Sequence, residues 1–361
     1  MNSYIDIIKT AIMFFPFIAF LISFPFILIQ YHKYGSISLL KVIIIYSFTL
    51  YLLSAYFLVI LPLPKISVVA AMTSPRTQLI PFSFVIDFIK HSSFNIMNVN
   101  TYIKAFKESY FYVPLYNILL TLPFGVYLRY YFKCNIKKVT IYTFLLSLFF
   151  ELTQLTGLYF IYPRGYRLFD VDDLILNTLG GVLGFLLIKP LLNILPKRDK
   201  IDLSALEKGK KMSGFRRTTT FLLDLFIVMF ISLICYFLSM KDLIIVIGII
   251  YYFIIPIFFN NSTLGQKFLN SKIVDYNSTN NIIRMLFRKL IFILIYFGIP
   301  FIILKTLEYL KLDSTYKGIL IVCILGIIFL IYMISFIKYV FTSKDMFYEK
   351  VSKTKLVSTI K

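Results

Sequence analysis

Nine apolar runs, each close to twenty residues, constrain this chain more than any other feature. They cover roughly residues 11–29, 40–61, 111–131, 140–159, 174–194, 219–238, 243–259, 290–307 and 319–341. A helix of about 20 residues spans about 30 Å, the thickness of a bilayer's hydrocarbon core. Of the 361 residues, 59% are hydrophobic and 15% charged, whereas a soluble domain averages about 45–50% and about 25%. A soluble fold would have to bury most of the chain. Lipid offers backbone groups no partners, so each crossing satisfies its own as a helix. The expected fold is all-α, a polytopic helical membrane protein of about nine transmembrane helices.

The net charge is +21, which in a soluble protein would suggest nucleic acid. Here most Lys and Arg residues fall in short connections, so the partner implied is membrane lipid and no nucleic acid. Lys133, Lys137 and Lys138 follow the third run. Lys197 to Arg217 follow the fifth, Lys267 to Lys289 the seventh, and Lys344 to Lys361 the last. Nine crossings put all four groups on one side, which the positive-inside rule makes the cytoplasm. The N-terminus, residues 62–110 and the turn 162–173 are then expected outside. Lys65, Arg76, Lys90, Lys104 and Lys107 in the long 62–110 segment run against this bias, which long loops obey less strictly. The first apolar run is too long for a cleavable signal peptide. The expected location is the plasma membrane, multi-pass.

The stretch 197–214 is charged and lacks an apolar run, and reads as a linker. It divides the chain into a membrane module of five spans (1–196), a charged cytoplasmic linker (197–214), a module of four spans (215–345) and a basic tail (346–361). Cys134, Cys235 and Cys323 have no metal or disulfide spacing. His32 and His91 stand alone.

Polar residues inside the apolar runs are the candidates for function. Glu151 lies within Leu146–Leu152, where a carboxylate is costly. Gln154 is three residues on, hence on the same helical face. Arg167, Asp170, Asp172, Asp173 and Asn177 follow, then Gly180, Gly181 and Gly184. Gly180 and Gly184 form a small-xxx-small pair that lets helices approach closely. The expected arrangement packs the fourth span on the fifth, with Glu151 and Gln154 facing Asp173 and Asn177 and with Arg167 neutralising a carboxylate. Such a cluster could bind a headgroup, a cation or a sugar-phosphate, or it could be a structural clasp at about 0.6 kcal/mol per polar pair. No hydrolase nucleophile, Walker loop or metalloprotease motif is present. Carboxylates alone can still hold a divalent cation or act as general acid and base. Neither is demanded, so no metal, cofactor or catalytic residue is assigned.

Four ordered stretches carry a family resemblance. They are Leu79–Ile80–Pro81–Phe82, then Asn117 with Leu122–Pro123–Phe124–Gly125, then Glu151 with Gln154, and then Arg167 to Asp173 with Asn177 and Gly180–Gly181. The chain over roughly residues 40–194 resembles the VanZ-like family, with Gln78 where an Asn often precedes the Leu–Ile–Pro–Phe motif. The resemblance implies a role at the outer membrane face linked to glycopeptide resistance of the teicoplanin type. The partner it implies is a lipid-linked cell-wall precursor or a lipoglycopeptide.

The second module carries Gly214–Phe215–Arg216–Arg217, Asp224, Thr263–Leu264–Gly265 and Val274–Asp275. Over roughly residues 213–341 it resembles the RDD family of small membrane domains, and Arg217 (or Arg216), Asp224 and Asp275 are the residues that match. Arg217 and Asp224 are two turns apart and share a helical face. Arg216, Arg217, Arg284 and Arg288 read as topology signals and headgroup contacts. The stretch 264–288 reads as lying on the cytoplasmic surface. Two functions of other classes stay open beside binding or modifying a lipophilic envelope molecule. One is an ion- or proton-coupled transporter using Asp224 and Glu151, and the other is a non-catalytic scaffold.

Overall fold

The computed structural model describes residues 2–240, 242–308, 314–342 and 345–360. The fold is all-α. Among the described residues, seven helical segments are long and apolar enough to cross a membrane: Ile12–Tyr34, Leu39–Ile60, Ser109–Tyr130, Val171–Asn193, Gly214–Phe237, Ile282–Leu307 and Gly318–Thr342. The two other expected spans are also helical. Ile136–Leu155 carries Lys137, Lys138 and Glu151, which lower its hydropathy. Leu243–Phe258 is apolar but shorter. Most of their large apolar side chains are exposed, as on surfaces that face lipid.

The chain divides into two compact units. The first comprises residues 1–22 and 39–201, and the second residues 23–38 and 202–361. The boundary near residue 201 lies close to the expected linker, but residues 23–38 belong with the second unit. The stretch read as a linker is a helix, Arg198–Gly209, with Ala205 and Gly209 buried. Small residues on one side of it let backbone approach, which its high charge had masked.

Four helices build the first unit around its polar centre: α1 (Leu39–Ile60), α2 (Ser109–Tyr130), α3 (Ile136–Leu155) and α4 (Val171–Leu187). Asn135 caps α3 by accepting from the Lys138 amide. α4 packs on both α2 and α3. Glycine makes the α2 contact possible: a Cβ on Gly125 would stand 1.9 Å from the Gly181 carbonyl oxygen, and one on Gly184 2.0 Å from that of Leu122. The glycine stripe therefore serves mainly the third span rather than the fourth alone. Phe124, Leu128 and Val139 form a buried cluster between α2 and α3. Ile60, Val69, Tyr162 and Tyr166 form another where the helices meet the loops. There, strand β1 (Thr77–Gln78) pairs in parallel with β2 (Phe169–Asp170).

In the second unit, Leu223 and Leu269 pack with Tyr31, Phe24, Ile27 and Leu28. Strand β3 (Ser271–Asp275) pairs antiparallel with β4 (Thr354–Ser358). The residues expected to form a basic tail thus supply a strand and a short helix, Phe347–Val351. Its Glu349 is fully buried and accepts from Arg288 at 2.6 Å. The segment expected on the membrane surface is likewise folded: Leu264–Phe268 starts at a capping box of Thr263 and Gln266, and β3 follows.

Candidate functional site

Helix α4 begins where the polar residues crowd. Asp170 is its N-cap, and the carboxylate accepts from the Asp172 amide at 2.8 Å. Asp172 and Asp173 occupy the first turn, where the helix dipole favours negative charge. Part of this acidic run therefore serves the helix start.

Asp172 reaches further. It is buried and accepts from the Phe82 amide at 2.5 Å, the Ser83 hydroxyl at 2.7 Å and the Phe84 amide at 3.0 Å. These groups begin the helix Ser83–His91, whose N-cap Phe82 has φ 64°, a left-handed conformation uncommon for a bulky residue. Asp172 thus holds the Leu–Ile–Pro–Phe loop against the start of α4. Gln78 closes the same loop. Its side chain accepts from the Ile80 amide at 2.5 Å and donates to the Ile80 carbonyl at 2.7 Å and the Ser83 hydroxyl at 2.6 Å. Gln at this position makes the loop contacts itself.

Glu151 is buried on α3 and accepts from the Asp170 amide at 3.0 Å. Asp173 accepts from the Asn117 side chain. Asn177 donates to the Ser147 hydroxyl at 2.9 Å, and its carbonyl accepts from Thr121 at 2.6 Å. Its own side-chain oxygen is buried without a partner among the described residues. These contacts bring Glu151, Asp170, Asp172, Asp173 and Asn177 together.

Two expected members stand elsewhere. Gln154 turns away from Asp173 and donates to the Val59 carbonyl at 3.0 Å. Arg167 makes no ion pair among the described residues. It donates to the Val59 and Leu61 carbonyls at 2.6 and 2.9 Å, satisfying orphan acceptors at the end of α1. Arg164 does the same for Met72 and Ser74. Both arginines therefore fasten the 162–168 turn to the neighbouring loop, where unpaired carbonyls compete with the carboxylates.

A cavity of about 250 Å³ opens beside this cluster, lined by Asp87, Asn117, Asp170, Asp173 and Tyr110, among others. Burial raises the Asp170 carboxyl above the usual aspartate range. Asp87 was not singled out in the sequence, although it lies one turn into the helix that follows the loop motif. Among the described residues, no group of His, Cys, Asp and Glu is arranged to hold a metal ion.

The matching residues of the second unit do not form one site. Asp224 is buried and accepts from Tyr251 at 2.6 Å, Thr263 at 2.7 Å and the Gly265 amide at 2.9 Å. Arg217 is buried 3.8 Å from Asp345 and 3.7 Å from Glu349. Two turns of one helix separate Arg217 from Asp224, yet different elements cover each. Asp275 holds Thr279 and stands 3.4 Å from Arg284, and the Thr279 bonds lower its pKa. Arg216 and Arg288 are no headgroup contacts. Arg216 is fully buried and donates to the carbonyls of Leu269, Asn270, Gly209 and Gly35, and Arg288 pairs with Glu349.

Fold and site together define a polytopic helical membrane protein with a carboxylate-lined cavity at one end of its first helical unit. The family model VanZ/LLP1 matches residues 48–193, the segment that contains this cavity. No curated protein and no solved structure matches the chain.

Proposed function

We propose that the first unit acts at the outer face of the plasma membrane and binds a lipid-linked or lipophilic molecule of the cell envelope. Its polar part enters the cavity lined by Asp87, Asn117, Asp170 and Asp173. That cavity carries the reading: it lies within the VanZ/LLP1 segment and at the helix end expected outside. Glu151 supports it from behind and Asp172 from within the lining, since their carboxylates are engaged by backbone amides of the same site. Carboxylates and an amide suit an amine- or hydroxyl-bearing group, as found on amino sugars. Teicoplanin-type glycopeptides and lipid-linked wall precursors are the candidate classes.

The second unit is proposed as an RDD-type module. The three donors on Asp224 support a structural role for this carboxylate rather than an ion pathway. The test uses cells expressing full-length protein or its Asp170→Asn/Asp173→Asn variant at equal membrane levels. Teicoplanin susceptibility should rise in the variant. Unchanged susceptibility would remove the cavity from the function.

A further inference from the structure

A second cavity, of about 540 Å³, lies wholly within the second unit, and its volume falls in the range of ligand sites. One wall is the end of the helix Ser314–Thr342. Ile331, Ser335, Lys338 and Thr342 recur there at intervals of four, three and four, and so share a face. The opposite wall is Ile295, Tyr296 and Ile299, at a π-helical segment, Leu294–Gly298. Such segments frequently occur at functional sites. Pro300 follows and has no amide proton to donate. The Tyr332 hydroxyl meets the Ile295 carbonyl at 2.5 Å and joins the two walls. The third wall is Met346 to Tyr348 with Lys350, from the C-terminal segment.

The chemistry of this cavity is graded. Along the helix Ser314–Thr342 the lining passes from Ile331 and Tyr332 to Ser335, Lys338 and Thr342, and the C-terminal segment adds Lys350. Both lysines are exposed, and neither has an acidic partner among the described residues. The carboxylate in the lining, Asp345, faces the buried Arg217 at 3.8 Å. Apolar surface passing into aromatic and then cationic surface complements a molecule with an acyl chain and an anionic head.

We propose that this cavity binds an acidic glycerophospholipid, its phosphate between Lys338 and Lys350 and an acyl chain along Ile295, Ile299 and Ile331. Because the C-terminal segment forms one wall, the bound lipid ties that segment to the last two long helices.

The test is native mass spectrometry of the full chain in detergent, titrated with phosphatidylglycerol or phosphatidylcholine. Phosphatidylglycerol should bind selectively. Lys338→Gln/Lys350→Gln should weaken it about 30-fold, at roughly a factor of five per lysine. Lys338→Arg/Lys350→Arg should retain binding. Lys208→Gln/Lys211→Gln, which removes the same charge from exposed positions outside the cavity, should also retain it. Equal loss in this control would reduce the effect to general surface attraction and overturn the proposal. Displacement of the lipid by equimolar glycerol 3-phosphate would assign the site to a soluble phosphate and overturn the lipid as occupant. Wild-type affinity in the Gln variant would overturn it outright.

Discussion

Asp172 shows how one carboxylate of a cavity lining also organises the loop beside it. It satisfies two amides and a hydroxyl at the start of the helix Ser83–His91 and holds Phe82 in a left-handed conformation. Asp172→Ala leaves these donors unpaired and should cost about 2–3 kcal/mol, read as a lower unfolding temperature in detergent. An unchanged midpoint would mean the loop does not depend on it. Asp170 gives a pH dependence. Burial raises its pKa, so lowering the pH protonates it before an exposed aspartate. Binding of a cationic group in the cavity should therefore weaken as the pH falls, and Asp170→Asn/Asp173→Asn, which removes two of the lining carboxylates at the helix start, should flatten that profile. That these polar residues gather was legible here: Glu151, Asp170, Asp172, Asp173 and Asn177 do converge. Their partners were not. Arg167 and Gln154 choose backbone carbonyls of residues more than 90 positions away, and such carbonyls carry no side-chain signature.

At the scale of elements, glycine sets the spacing of the helices that carry the cavity. The Gly125 backbone lies against the Gly181 carbonyl, with no room for a methyl group. Gly125→Ala should push α2 from α4 and destabilise the unit by about 1–3 kcal/mol, and it should shift the Asn117–Asp173 contact. Gly248→Ala, where nothing lies within 4 Å of the added carbon, should be neutral. A stable Gly125→Ala with a wild-type midpoint would refute the close packing. Apolar length made the spans legible because burial in lipid and helix length are coupled. The C-terminal strand β4 escaped notice because its sequence, Thr354 to Ser358, is short and pairs with residues some 80 positions earlier. Charge in the stretch 197–214 likewise concealed a helix, since its few small buried residues leave no long apolar run.

Across the whole molecule, residues 23–38 matter most for dividing the chain. They precede the VanZ/LLP1 segment, yet Phe24, Ile27, Leu28 and Tyr31 pack with Leu223 and Leu269 in the second unit. A fragment of residues 1–200 strips these side chains of that core. It should accumulate to lower membrane levels than full-length protein, and a fragment starting at residue 39 should avoid this penalty. Equal levels for 1–200 and full-length protein would show that the first helix needs no second unit. Ligand binding in the cavity of the first unit is tested most directly by thermal unfolding of purified full-length protein with and without teicoplanin. At a ligand concentration of about 100 times Kd, binding to the folded state adds about 2.7 kcal/mol. The midpoint should rise for the wild type and stay fixed for Asp170→Asn/Asp173→Asn. The same rise in both proteins would place binding outside this cavity.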